Sequence, residues 1–411
     1  MIARMAVAGL VLHGLGALLR ALPHARRGAL GAHAAAALAS PASLFVGLAV
    51  AYGVALRLYG LPILSILGLA LVLERRAAPP VRPSLGALTV LAALSALVLA
   101  RPMTPTFWDE FVWLGKARLE SVGFGAGVRE ALDPSTHLMP PGYPMFWPSA
   151  VGWLAGAQDD LGALTLATSL LLLAAAGAAV DAWASHRLEP QRAVLVALVA
   201  PFVWIHARST YVDLPVGLLG LALAFELTGP RRSPFMAAAL GVALAATKDE
   251  GVAHAAAAVA AGLLVHRGEA RKPALLAAAA ALVTALAWHG SLALHEVPRD
   301  HGGSVFVPAF LPRALALFVR HATDLRTWGL FWAATAAALP FAWRSREGRA
   351  LGLALAIDLV LAVVAICAGP PRVRAFAENG TLVNRILLQL WPLGAALVLE
   401  AARGVRRPSR P

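Results

Sequence analysis

Asp109 and Glu110 stand side by side in TPTFWDEFVWLGK, directly after an apolar run. Two adjacent carboxylates at the end of a hydrophobic stretch lose hydration unless water, a cation or a substrate replaces it, so a purely structural role is the costlier explanation. Carboxylates held in place accept protons and bind hard cations, and either chemistry suits this position. Asp213, in STYVDLPVG, precedes Leu214 and Pro215. Those residue types match a helix N-cap with proline in the first turn, and beside Tyr211 and Arg208 the same carboxylate could hold an acceptor or a cation. Lys248, Asp249 and Glu250 form the turn TKDEG. It reads as a solvated turn with glycine ending a helix, or as a charged patch fit to surround a phosphate. Arg385 follows Asn384, which has the chemistry of a cap, at the start of the last apolar run. Its stem could lie along the helix as an interfacial anchor, while its planar guanidinium could fork onto phosphate oxygens.

Other segments add weaker candidates. A helix running from Asp109 would place Phe107, Phe111, Leu114 and Val122 on one side and Lys116, Arg118 and Glu120 on the other, lying flat in a membrane interface. Trp108, Trp113, Trp147 and Trp153, with Tyr143, suit that depth because their rings are apolar with a polar edge. The segment 292–327 contains His295, Glu296, Arg299, Asp300, His301, His321 and Asp324 but no HExxH spacing, so its histidines read as solvated rather than metal-bound. His301, next to Gly302 and Gly303, could belong to a mobile loop over a pocket. Arg372 and Arg374 are further cations in the last of these segments.

The elements that must position these groups are membrane helices. The chain has 411 residues, 59% of them hydrophobic and only 14% charged, which excludes an ordinary soluble enzyme. Its net charge of +13 would suggest nucleic acid in a soluble protein, but here it is better placed in cytoplasmic loops that fix orientation, and no nucleic-acid partner is expected. A single cysteine, Cys367, excludes a disulfide framework or thiolate zinc site. Apolar runs near 5–22, 43–56, 61–74, 84–101, 161–180, 193–207, 214–228, 234–247, 251–265, 273–291, 328–343, 349–368 and 384–402 predict an all-α polytopic bundle of about 11–13 transmembrane helices. Residues 1–411 read as one membrane domain. Arg57, Gly60 and Pro62 interrupt 43–74, which is either a hairpin or one broken helix. No cleavage site follows the first run, so it is not expected to be a signal peptide.

Short Arg-rich loops at 74–82, 186–192, 231–232, 267–272 and 344–349, with the tail 403–410, form the expected cytoplasmic set. The opposite set holds 102–160, 206–213, 248–250, 292–327 and 369–383. It includes a first outer loop, 102–160, with interfacial helices, and a second long outer loop, 292–327. All the acidic candidates named above fall in this outer set.

The outer WDE followed by Gly115 and Lys116, then His137 and the Pro140, Pro141, Gly142, Tyr143, Pro144 stretch, resembles the first periplasmic or lumenal loop of GT-C fold glycosyltransferases. The pattern is similar to the protein O-mannosyltransferases (glycosyltransferase family 39) and the bacterial aminoarabinose transferases. It departs from the mannosyltransferase pattern by one residue between the acidic pair and GK and lacks that family's large soluble lumenal domain, which leaves the acceptor open. The resemblance implies a sugar donor linked to polyprenyl phosphate, a lipid, glycan or protein acceptor, and displacement with inversion. Asp109 would take the acceptor proton, and Glu110 and Asp213 would orient the acceptor or hold a divalent cation. Lys248 and Arg385, with Arg372 and Arg374 behind them, would bind the donor phosphate. His137, Tyr143, Tyr211, Lys116, Glu250 and His301 would contact substrate. No cofactor is required by the pattern, although oxygen ligands would suit Mg or Mn. The implied setting is a bacterial inner membrane with the site facing the periplasm or exterior, among membrane lipids. A transporter or lipid flippase is the alternative, since Asp181, Asp358 and Glu226 lie in or near apolar runs, but no paired halves are evident.

Overall fold

The computed structural model describes residues 2–23, 30–74, 105, 108–136, 142–156, 160–184, 201–229, 232–298 and 305–404. Among them every regular element is helical. The apolar runs hold few charges, and helices satisfy their own backbone groups where water is absent. Among the described residues five helices are long and apolar enough to cross a membrane: Ala3–Ala21, Leu161–Ala182, Gly268–Leu294, Arg346–Ala368 and Thr381–Arg403. Shorter apolar helices accompany them. One of these, Pro234–Thr247, is buried along its whole length, so neighbouring helices rather than lipid surround it. This is the architecture of an integral membrane protein. The expected run at 84–101 lies outside the described residues, and the run at 193–207 is described only from Pro201–His206.

Two stretches required the structure to settle them. Helix α1 (Ile2–Ala21) and α2 (Leu30–Leu38) are followed by α3 (Ala42–Ala55) and α4 (Leu61–Leu73), joined by a 3-10 turn at Arg57–Gly60. The segment 43–74 is therefore a hairpin. Pro62 sits in the first turn of α4, where its missing N–H costs nothing. The turn projects Tyr59 onto His295, with 3.1 Å between the hydroxyl and Nε2.

The second is the helical stretch Glu250–Leu294, which includes Pro273. Straight, it would be roughly 65 Å long. Instead Asp249 and His289 lie 3.2 Å apart, so the stretch folds back into two antiparallel arms, 250–266 and 268–294. At the bend Glu269 meets Arg232 at 2.7 Å and Arg346 at 3.7 Å, tying three of the Arg-rich loops together. The same end of the bundle gathers Arg20, which donates to Ser40 and Ser43, and Asp181, which accepts from Ser40. There too Glu74 accepts from the Phe235 amide and Glu226 from the Ser233 amide.

The stretch expected as the first outer loop is not wholly exposed. It contains α5 (Trp108–Ser121), α6 (Ala126–Ala131) and α7 (Phe146–Ala155), and every residue of α7 is buried; α8 (Leu161–Ala184) and α9 (Pro201–His206) follow. The expected sidedness of α5 is corrected. Lys116 and Glu120 face the protein with Glu110, Trp113 and Ala117, while Phe111, Arg118 and Val122 are exposed. Polar partners explain the inversion: Glu120 accepts from the Ser149 hydroxyl at 2.9 Å, the Trp153 indole at 3.1 Å and the Val128 amide at 2.9 Å. Burial pushes this carboxyl above its ordinary range, and the three donors oppose that rise.

Candidate functional site

The centre is Asp213, the first residue of α10 (Asp213–Thr228) and fully buried. Its expected capping role is overturned. Val212 occupies the N-cap position without a side-chain cap, and the Asp213 carboxylate turns to other helices instead. Oδ1 accepts from Lys248 Nζ at 2.8 Å and from Gln389 Nε2 at 2.6 Å, and Oδ2 accepts from Arg385 Nε at 2.9 Å. These partners come from the junction after α11 (Pro234–Thr247) and from the last helix (Thr381–Gly404), so segments far apart in sequence converge.

Lys248 is 2% exposed, which excludes a solvated turn. Only Lys248 and Asp249 separate α11 from the next helix. The ammonium bridges Asp213 to Glu250 Oε1, each at 2.8 Å. Arg385 also lies over the Tyr211 ring, 5.1 Å from its centroid. A guanidinium stacked on a ring and paired edge-on to a carboxylate has a fixed plane, a property lysine lacks. The expected cap at Asn384 is likewise corrected. The helix begins at Thr381, and the Asn384 side-chain oxygen accepts from the Trp328 indole at 3.1 Å.

Close helix approach makes this convergence feasible. A methyl group on Gly217 would lie 2.2 Å from the Gln389 carbonyl oxygen, and one on Gly220 would touch the His254 side chain at 3.4 Å. Asp213, Gly217 and Gly220 follow the i, i+4, i+7 spacing of one helix face. The acid and the two gaps beside it therefore share a stripe. Gly217→Ala is expected to push the last helix away and destabilise the protein by about 1–3 kcal/mol or more. Unfolding in graded denaturing detergent would check this, and unchanged stability would contradict the contact.

Around the centre, Glu110 Oε1 accepts from the Thr210 amide and the Thr210 hydroxyl donates to the Glu110 carbonyl, both at 3.1 Å. α5 is thereby pinned to the segment carrying Tyr211 and Asp213. Trp288 donates its indole N–H to the Gly142 carbonyl at 2.8 Å, which pins the backbone beside Tyr143 to the folded-back arm. Tyr143 packs edge-on against Trp113, and Lys116 lies 5.6 and 5.9 Å from the two ring centroids. Burial drives the Tyr143 phenol well above its ordinary range, with the Glu250 carboxylate adding to the rise and Arg385 opposing it. It stays a neutral donor.

The structure thus brings together Asp213, Lys248, Arg385, Glu250 and Tyr211, with Glu110, Tyr143 and Lys116 on adjoining elements. Arg372 and Arg374 sit on Pro371–Glu378 with local partners, Arg372 over Phe376 and Arg374 donating to the Gly369 carbonyl. Asp109 starts α5, but its side chain, like His137 and His301, lies outside the described residues. A divalent cation does not fit Asp213, since both its oxygens already accept from an ammonium, a guanidinium or an amide. Among the described residues no group of three metal-capable side chains forms.

Gln389 and His254 were not anticipated from sequence. Each lies four residues after a recognised charge, Gln389 after Arg385 and His254 after Glu250, and that spacing is the signal that would have found them. Of the ionisable groups in apolar runs, Asp358 pairs with His254 near this centre, whereas Asp181 and Glu226 belong to the opposite end. No family model, curated protein or solved structure matches the chain.

Proposed function

We propose that this protein is a GT-C type glycosyltransferase that moves a sugar from a polyprenyl-phosphate donor to an acceptor hydroxyl at the outer face of its membrane. The observation that carries the reading is the convergence of Lys248 and Arg385 on one buried carboxylate, beside the loop bearing the WDE segment. A departing lipid phosphate gains negative charge, and two preorganised cations held by Asp213 would stabilise it without reorganising. Asp213 acts as the holder of these cations, a change from its expected role in orienting the acceptor. Glu110 supports the loop through Thr210, and Asp109 takes the proton from the acceptor hydroxyl. Tyr211, Tyr143 and Lys116 border the space where the sugar and acceptor meet.

The test is incubation of the purified protein with a panel of polyprenyl-phosphate sugars, following release of lipid phosphate. Arg385→Ala is expected to lower donor use about tenfold to a hundredfold, the range for one charged hydrogen bond. Arg385→Lys should restore charge but not the ring-stacked geometry, giving partial recovery. Release from no donor by the wild type would end the reading. Parallel loss of folded protein and activity in Arg385→Ala would make Arg385 a structural anchor.

A further inference from the structure

We propose that His254 and Asp358 form a buried positioning pair that sets the orientation of Asp213 through the amide of Gln389, and so the aim of Lys248 and Arg385. The link to turnover rests on the transferase reading; the positioning itself does not. His254, Asp358 and Gln389 are 4%, 3% and 2% exposed, so no bulk water is available to share their hydrogen bonds.

Proton bookkeeping fixes each orientation in turn. Asp213, ionised between an ammonium and a guanidinium, can only accept. The Gln389 group 2.6 Å from its Oδ1 is therefore the NH2 end of the amide, which leaves Oε1 facing His254 Nε2 at 3.1 Å. A carbonyl oxygen only accepts, so Nε2 must carry a proton. The other ring nitrogen, Nδ1, contacts Asp358 Oδ2. The contact is an ion pair rather than an aligned hydrogen bond, and one further proton belongs to it, on nitrogen as an imidazolium–carboxylate pair or on oxygen as a neutral pair. In both cases the pair has no net charge, which is what burial within apolar helices demands.

The role of Asp358 follows from what its removal would permit. Without Asp358 nothing holds Nδ1, and the ring is anchored only through its Nε2–H on Gln389. The imidazole can then turn away, and an amide whose oxygen has lost its donor no longer holds its NH2 firmly on Asp213. Asp213 and the cations it pairs with would lose their fixed aim. Glu250, Lys248 and Arg385 are the other charged groups at this junction, and each is already paired as described. Gly220 leaves room for the imidazole beside α10.

The experiment uses the full chain in lipid nanodiscs, labelled with 15N-histidine, with the His254 signals identified by their loss in His254→Gln. Wild-type His254 is expected to show a protonated Nε2. Asp358→Asn should retain it, because the asparagine NH2 can donate to Nδ1. Asp358→Leu should keep the proton on Nε2 but speed its exchange with water, as a ring held on one side only implies, and lower kcat on the order of a hundredfold, with KM little changed, as misplacement of groups that act in the transition state implies. Wild-type His254 protonated only at Nδ1, or unchanged exchange of the Nε2 proton in a folded Asp358→Leu variant, would overturn the proposal. If Asp358→Leu does not fold, the wild-type and Asp358→Asn spectra still decide it. A wild type that shows the expected spectrum but consumes no lipid-linked donor would refute the transferase reading and leave the positioning pair standing.

Discussion

Asp213→Ala is expected to cost about 3–5 kcal/mol, the penalty for removing one member of a buried ion pair and leaving its partners uncompensated. Lys248 would retain Glu250 at 2.8 Å, so most of the loss falls on Arg385 and Gln389, which give up their contacts with this carboxylate. Asp213→Asn should also destabilise, since its amide offers one acceptor oxygen to a site that supplies three donors. Graded SDS unfolding of the purified protein would measure the loss. A double variant, Asp213→Ala with Arg385→Leu, should recover part of it, because the second change removes the buried charge that Asp213 had balanced. Wild-type stability in Asp213→Ala would show that this carboxylate does not hold the helices together.

Asp109→Asn is expected to abolish sugar transfer, a loss of about a hundredfold to ten-thousandfold for removal of a positioned base, with membrane insertion and abundance unchanged. Glu110→Gln should be milder, because a glutamine oxygen can still accept from the Thr210 amide. The contrast separates two neighbouring acids by role: one chemical, one structural. Measured with the lipid-linked donor panel, full turnover by Asp109→Asn would remove this residue from the mechanism, and a Glu110→Gln defect larger than the Asp109→Asn defect would exchange their roles.

Much of this organisation was legible in the sequence because apolar runs and charge placement are strong signals. The hairpin over 43–74 stayed ambiguous because interruption by Arg57, Gly60 and Pro62 suits a turn or a kink equally. Asp213, Lys248 and Arg385 could be singled out individually, since a charge beside hydrocarbon needs an explanation. Their mutual contact could not, because nothing local encodes a meeting between residues 35 and 172 positions apart. Gln389, His254 and the Gly217–Gly220 face escaped notice for another reason. One amide, one imidazole or two glycines in an apolar helix resemble ordinary tolerated variation until the neighbour that occupies each gap is known. The helix from Trp108 misled by its mixed pattern: Lys116 and Glu120 turn inward where aromatic faces and indole or hydroxyl donors await them.

The order in which Asp213 acquires its partners bears on how the chain matures. Lys248 follows it by 35 positions, whereas Arg385 and Gln389 follow by 172 and 176. Synthesis proceeds from the amino terminus, so a nascent protein can form the lysine contact early and must wait for its final helix before the arginine and glutamine arrive. Until then the acid has one cation where the finished molecule has two, and the gap beside Gly217 has no occupant. Completion of the charge cluster and closure of the helix packing are thus a single late event, and a molecule arrested before it would lack both together.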